Sequence, residues 1–221
     1  MTVTLVVAPH PDDETLGCGG TLLKLAASGA EVHWMIMSTM TSNMFSSERM
    51  AERQIEIREV AAAYRFAETH ELRFPTTRLD EPPIGDIVGA AMPIVQRIKP
   101  NLVFLPYGGD AHSDHGATFR ALSSTVKKFR MPSVNRVLVY ETISETDNCI
   151  DPDSNGFRPT SFSDITETLD GKIRIMGIYK GELRSPPFPR SIEAIRALAL
   201  LRGGAANCHA AEAFMLLREN W

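Results

Sequence analysis

Short, β-branched apolar runs alternate along the chain with longer stretches in which apolar residues recur at helical spacing. Residues 3–8 are almost entirely apolar, as expected of a strand buried on both faces of a parallel sheet. The prolines of Pro9-His10-Pro11 stop that strand, and Asp12-Asp13-Glu14-Thr15 sets carboxylates and a hydroxyl ahead of a helix predicted over 16–27. The unit then repeats. Residues 31–37 read as a strand, 47–66 as a long helix, 72–74 as a short strand, 86–97 as a helix closed by Pro100, and 102–105 as a strand ending in Pro106-Tyr-Gly-Gly109. A helix from about 115 to 129 and a strand over 136–140 follow.

This alternation predicts an α/β fold, a Rossmann-like three-layer sandwich with a mostly parallel sheet. Beyond it, 156–164 is turn-rich. Helices are predicted over 171–183 and 191–201, followed by a loop Gly203-Gly-Ala-Ala-Asn207 and a short final segment, 210–219. No internal repeat, linker or low-complexity tract divides the chain, so a single domain is expected over 1–221.

Charge narrows the functional class. Lys and Arg number 23 against 27 Asp and Glu, a net of −4, which offers no electrostatic footprint for nucleic acid or an anionic membrane. A small-molecule substrate is expected instead. Cys18, Cys149 and Cys208 are an odd, widely spaced set without a C-x-x-C pair, against both a disulfide framework and a zinc knuckle. No signal-like or membrane-spanning run is present, and the chain reads as soluble and cytoplasmic. Trp221 and the apolar C-terminal segment offer a contact for a homo-oligomer.

The chemistry concentrates in two loops. In an open parallel sheet, ligands bind beyond the carboxyl ends of strands. There lie Pro9-His-Pro-Asp-Asp-Glu14, after the first strand, and Asp110-Ala-His-Ser-Asp-His115, after the strand over 102–105. Two histidines and a carboxylate with one open position form the ligand set of catalytic zinc. His10, Asp13 and His115 are the expected ligands. Asp12, between two ligand positions but free of the metal, is the expected general base. His112 is placed nearer the substrate, able as imidazolium to stabilise an oxyanion or to protonate a leaving amine, and Asp114 is placed to hold one imidazole by its second nitrogen. Ferrous iron (Fe2+) in a two-His-one-carboxylate oxygenase fits the same ligands, and so does a metal- and sugar-binding module without turnover.

Pro9-His-Pro-Asp-Asp-Glu14 and His112-Ser-Asp-His115 resemble the two signature motifs of the PIG-L/LmbE-like zinc N-deacetylases. Arg53-Gln-Ile-Glu56, Phe162-Ser-Asp-Ile-Thr166 with Lys172, Tyr179-Lys-Gly-Glu182, Pro187-Phe-Pro-Arg-Ser191, Arg202-Gly203 and Ala211-Glu-Ala-Phe214 extend the resemblance over nearly the whole chain. It implies a Rossmann-like enzyme that removes an N-acetyl group from an N-acetylglucosamine-type amino sugar or its conjugate. Zinc would be held by His10, Asp13 and His115, with Asp12 as base, His112 as oxyanion partner and Arg53 as a sugar contact. Three positions depart from the family. Tyr64-Arg65 stands where a Leu-Gly helix end is usual, a matter of packing and capping. Asn207 stands for a frequent glycine, and Asp110 stands where some members carry a tyrosine, marking it as a substrate-facing position.

Other features take plainer readings. Gly17-Cys-Gly-Gly20 sits inside a predicted helix rather than in a turn, so it is read as allowing close helix packing or a nearby substrate and not as a dinucleotide loop. Glu14 is expected to complement the helix dipole or to support the site. His33, in a strand, and His70, in a turn, are expected to be structural or solvated. The roles of His209 and Arg190 stay open.

Overall fold

The computed structural model describes residues 1–149 and 156–220, so Trp221, one part of the expected subunit contact, lies outside the described residues, while the C-terminal segment is the strand over Ala211–Glu219. The strands are β1 (Val3–Ala8), β2 (Glu31–Thr39), β3 (Glu68–Pro75), β4 (Leu102–Pro106), β5 (Arg136–Tyr140), β6 (Ser161–Asp164) and β7 (Ala211–Glu219). Between them run α1 (Asp13–Ala27), α2 (Ser47–Tyr64), α3 (Ile84–Ile98), α4 (Ser113–Thr125), α5 (Leu169–Met176) and α6 (Ile192–Ala206). One seven-stranded sheet has the order β3-β2-β1-β4-β5-β7-β6; its first five strands are parallel, and β7 pairs antiparallel with both β5 and β6.

Alternate residues of β1 enter opposite cores. Val6 and Ala8 join Trp34, Ile57, Val60, Tyr64 and Ile173 on one face, while Leu5 and Val7 join Met35, Ile87, Val95, Val103 and Leu122 on the other. Helices therefore cover both faces, which is why the strands read as continuous apolar runs. The result is the expected three-layer α/β architecture. No helix among the described residues is long and apolar enough to cross a membrane.

Helix α1 is broken at Cys18 (φ −143°, ψ 18°), and tertiary groups repair the break. Gly20 N–H and Leu16 C=O would pair in an unbroken helix. Instead Glu212 of β7 accepts from Gly20 N (2.9 Å), and Lys172 of α5 donates to Leu16 O (2.8 Å). Lys172 and Glu212 also pair directly at 2.7 Å in the interior. The glycines serve this crowding: a Cβ on Gly17 would stand 2.1 Å from the Tyr140 ring, and one on Gly20 would stand 2.7 Å from Ile165. Close packing is thus their role, as the sequence suggested.

Several boundaries differ from expectation. β3 spans eight residues rather than three and contains His70, so that residue is not in a turn. His33 and His70 are buried near the N-terminal ends of β2 and β3, where their ring nitrogens approach to 3.4 Å and His33 also bonds Glu31. Helix α4 starts at Ser113 and ends at Thr125, with His112 as its N-cap. Residues 161–164 form β6 within the stretch read as turn-rich, because β7 supplies them with ladder partners. Helix α5 stops at Met176, short of 183. Helix α6 runs on to Ala206 through the expected loop; Gly203 is there because a Cβ would meet the backbone of Cys208 and His209. Asn207 then takes the left-handed conformation (φ 56°), and Arg65 does the same after α2 (φ 57°).

Candidate functional site

Strands β1 and β4 are sheet neighbours, yet the chain leaves β1 towards β2 and β3 on one side and reaches β4 and β5 on the other. The sheet order reverses between them, which opens a crevice at their carboxyl ends. The loops leading from β1 into α1 and from β4 into α4 flank that crevice, which brings the two sequence motifs together.

His10, Asp13 and His115 present ligand atoms that all lie within 4.8 Å of one another. Asp13 Oδ2 is the hub, 3.4 Å from both His10 Nδ1 and His115 Nε2. Each imidazole is turned by a carboxylate on its other nitrogen. Asp110 Oδ2 meets His115 Nδ1 at 2.7 Å, and Asp114 Oδ2 meets His10 Nε2 at 2.9 Å. Asp114 is itself fixed by the backbone N–H groups of Thr77 (2.7 Å) and Leu79 (2.9 Å), and Asp110 by the Thr146 hydroxyl (2.5 Å).

The donor set fits a metal ion. His115 Nε2 is buried and has no hydrogen-bond partner, which costs free energy unless another group meets it. Two histidines locked by carboxylates on their far nitrogens, converging on a third carboxylate, are the arrangement that orients imidazole lone pairs at a cation. Electrostatics agree. Burial pulls the His10 pKa down, but the bonds from Asp114 and Asp13 outweigh it and push it up to about 9. Burial likewise opposes the charge on His115, and Asp13 and Asp110 raise its pKa well above the usual value. Despite burial, His115 and His10 hold Asp13 well below the ordinary carboxylate range. The site is built for positive charge.

Asp12 stands outside this cluster. Its backbone has φ 142°, a conformation rare for a side-chain-bearing residue, and its N–H donates to Glu14 Oε2 at 3.1 Å. Glu14 is held in turn by the Thr15 and Tyr179 hydroxyls, each at 2.6 Å, so it supports the loop from behind. Arg190 donates to Asp12 Oδ2 at 3.2 Å. Burial, then Asp13 and Glu182, raise the Asp12 pKa well above the ordinary range, against the pull of Arg190 and Arg53.

His112 lies with His10 at a ring separation of 4.5 Å, and its Nδ1 accepts the Asp114 N–H at 3.1 Å. Burial and the two neighbouring histidines lower its pKa. With Nδ1 engaged as an acceptor, the Nε2 side of the ring is the one left to donate, and these neighbours work against the imidazolium form expected from sequence.

A cavity of about 630 Å³ opens in front of these groups, lined by His10, Asp12, Asp13, His112 and His115. Asp110 and Asp114 do not line it. The Asp110 side chain is fully enclosed behind His115 with both oxygens engaged, which corrects the expectation of a substrate contact there. Asp114 likewise acts through His10 and is a positioning residue. Arg53 does line the cavity, but its guanidinium is committed to Pro11 O (2.8 Å), Glu182 (2.5 Å) and Glu56 (3.2 Å). His209 is exposed and not part of the lining. Sequence reasoning missed Glu145 and Glu182 as cavity residues. Glu182 lies within a family-like run, whereas nothing around Glu145 marks it, since only the fold brings its loop beside Asp110.

Residues 5–126, which contain both motifs, match the family described as PIG-L: GlcNAc-PI de-N-acetylase. The chain belongs to the PIG-L family. A probable N-acetyl-α-D-glucosaminyl L-malate deacetylase of Bacillus cereus is 26% identical over 188 residues, covering 80% of this chain and 82% of the relative. Diacetylchitobiose deacetylase of Thermococcus kodakarensis is 27% identical over 217 residues, covering 90% and 77%. The crystal structure of a conserved protein of Thermus thermophilus superposes with a TM-score of 0.78 at 27% identity, covering 100% of this chain and 97% of that one. Membership of this family of deacetylases makes the chain an amide-hydrolysing enzyme.

Proposed function

We propose that the chain removes the N-acetyl group from an N-acetylglucosamine-type amino sugar or its conjugate, releasing acetate and a free amine, with zinc held by His10, Asp13 and His115. The observation that carries this reading is the unpartnered, buried His115 Nε2 aimed at Asp13, beside a carboxylate, Asp12, that is outside the ligand cluster. Held by His10, Asp13 and His115, zinc would supply a bound water acidified towards neutrality and a Lewis acid for the amide carbonyl.

The chain's own residues do the rest. Asp110 and Asp114 fix the two imidazoles so that one nitrogen of each faces the ligand cluster. The Asp12 carboxylate takes a proton from the attacking water; its raised pKa makes it basic enough to accept the proton and acidic enough to return it to the leaving amine nitrogen. Arg190 holds Asp12 Oδ2 and so steadies the carboxylate during that exchange. His112 donates from Nε2 to the oxyanion formed at the former carbonyl oxygen, because its Nδ1 is occupied as an acceptor.

Acetate release from N-acetylglucosamine, diacetylchitobiose and glycosidic conjugates tests the reading, with zinc-loaded enzyme, with chelator-treated enzyme and with Asp12→Ala. Chelation is expected to abolish release and zinc to restore it. Asp12→Ala is expected to retain one zinc and lose at least about a hundredfold in rate. No acetate from any acetamido sugar, or an unimpaired variant, overturns it.

A further inference from the structure

The cavity extends well beyond the histidines and carboxylates, and its far wall has a different chemistry. Met50, Arg53, Gln54 and Ile57 recur at i, i+3, i+4 and i+7 on α2 and all line it. The two polar members of that face are already committed. Arg53 bonds Pro11 O and Glu182, and Gln54 Nε2 donates to Glu71 at 3.0 Å. What α2 leaves open to a ligand is Met50, with Ile57 buried behind it as part of the core. Met40, just after β2, and Phe45, just before the Ser46 N-cap of α2, bring an apolar side chain from each end of the connecting loop to the same wall. Met40, Phe45 and Met50 are only half-buried, so the protein itself leaves this surface open to water.

Resting on the function proposed above, we infer that this wall is the subsite for an apolar aglycone, an alkyl or aryl group on the anomeric carbon of the amino sugar. The anomeric carbon is bonded directly to the carbon bearing the acetamide. A substrate whose amide faces His10, Asp13 and His115 therefore carries its aglycone in the same cavity. Covering exposed apolar area is worth about 25 cal/mol per Å², and two methionines let the wall adapt to differently shaped groups. Of the cations lining the cavity, Arg53 and Arg190 are paired with Glu182 and Asp12, and Arg73 is a weak guide: its side chain is 71% exposed and stands 4.0 Å from Glu71, where solvent and a carboxylate both weaken its field.

The test compares kcat/KM for release of the free amine from the methyl, phenyl, octyl and carboxymethyl glycosides of N-acetylglucosamine, in both anomers, and from methyl glycosides carrying longer N-acyl groups, with acetate the co-product of the former and the longer carboxylate that of the latter. Phenyl and octyl glycosides are expected to exceed the methyl glycoside by on the order of tenfold. A Phe45→Ser, Met50→Ser double variant is expected to bring that ratio towards one. Calorimetry with the deacetylated phenyl and methyl glucosaminides should show the same preference in binding, independently of turnover. Acetate from both methyl and phenyl glycosides at equal kcat/KM overturns the subsite while leaving the deacetylase reading intact. So does a preference for the carboxymethyl glycoside, which would point to Arg73, or one seen only with longer N-acyl groups, which would give the wall to the acyl chain. No acetate from any glycoside overturns the deacetylase reading and this inference with it.

Discussion

Asp110 Oδ2 lies 2.7 Å from Nδ1 of His115, and this single contact decides which nitrogen of the histidine faces Asp13. The carboxylate is fully enclosed, so the bond is sheltered from water and fixes the tautomer with Nε2 free. In Asp110→Asn the carboxylate charge is lost and the hold on Nδ1 weakens. Zinc affinity, measured by competition with a chromophoric chelator, is expected to fall about ten- to hundredfold. An unchanged affinity would show that His115 is oriented by packing alone.

His112 is predicted to act on the reaction and not on the metal. His112→Ala is expected to keep stoichiometric zinc and to lose about a hundred- to a thousandfold in kcat, the scale for removing one oxyanion donor. Loss of zinc on substitution would instead make His112 a ligand.

The metal-free protein should weaken as pH rises. His10 has a folded pKa raised to about 9 against 6.5 in the unfolded chain. Its protonated form therefore contributes stability that is fully present below pH 6.5 and is lost as pH climbs through 9. The loss attributable to this group is at most about 3 kcal/mol. Zinc binding must displace the same protons, so its affinity rises across this window. Denaturant titrations at pH 6.5 and 9 on chelated and zinc-loaded protein check both directions; a chelated protein equally stable at the two values contradicts the assignment.

The break in α1 depends on a buried ion pair. Lys172→Met leaves Glu212 and the Leu16 carbonyl without their partner in the interior. Breaking one side of such a pair is expected to cost about 3–5 kcal/mol, read as a drop in denaturation midpoint. A double variant Lys172→Met, Glu212→Gln should recover part of that loss, because no lone buried charge remains.

Gly17 is the tightest approach in the helix. A Cβ there would stand 2.1 Å from Cδ2 of Tyr140, whose hydroxyl is tied to Val7 O at 2.7 Å and whose ring has no room to retreat. Gly17→Ala is expected to destabilise by about 1–3 kcal/mol or more, despite the better helix propensity of alanine. An unchanged midpoint would mean that α1 shifts freely against β5.

Much of this protein was legible along the chain because the relevant signals are local. A strand buried on both faces must be a continuous apolar run, and prolines must end it, so β1 and β4 were readable. The motif residues His10, Asp13 and His115 have the types and spacing that a metal requires, and the structure brings them together. Positive φ at Asn207, in place of a frequent glycine, follows from a helix end that needs it, whereas the same conformation at Arg65 ends α2 inside the helix expected over 47–66.

Partners distant in sequence were not legible. Thr77 and Leu79 reach Asp114 from an unremarkable loop, Arg190 reaches Asp12 across 178 positions, and Glu212 meets α1 across more than 190. β6 has too few apolar residues to announce itself and exists because β7 lies beside it. Asp110 shows the division most clearly. Standing where some family members carry a tyrosine, it was expected to face substrate, but the fold closes the 142–147 loop over it and turns it towards His115. Local chemistry named the groups proposed to hold the metal and move the proton, while their orientation depends on hydrogen bonds that form only once β1 and β4 lie side by side.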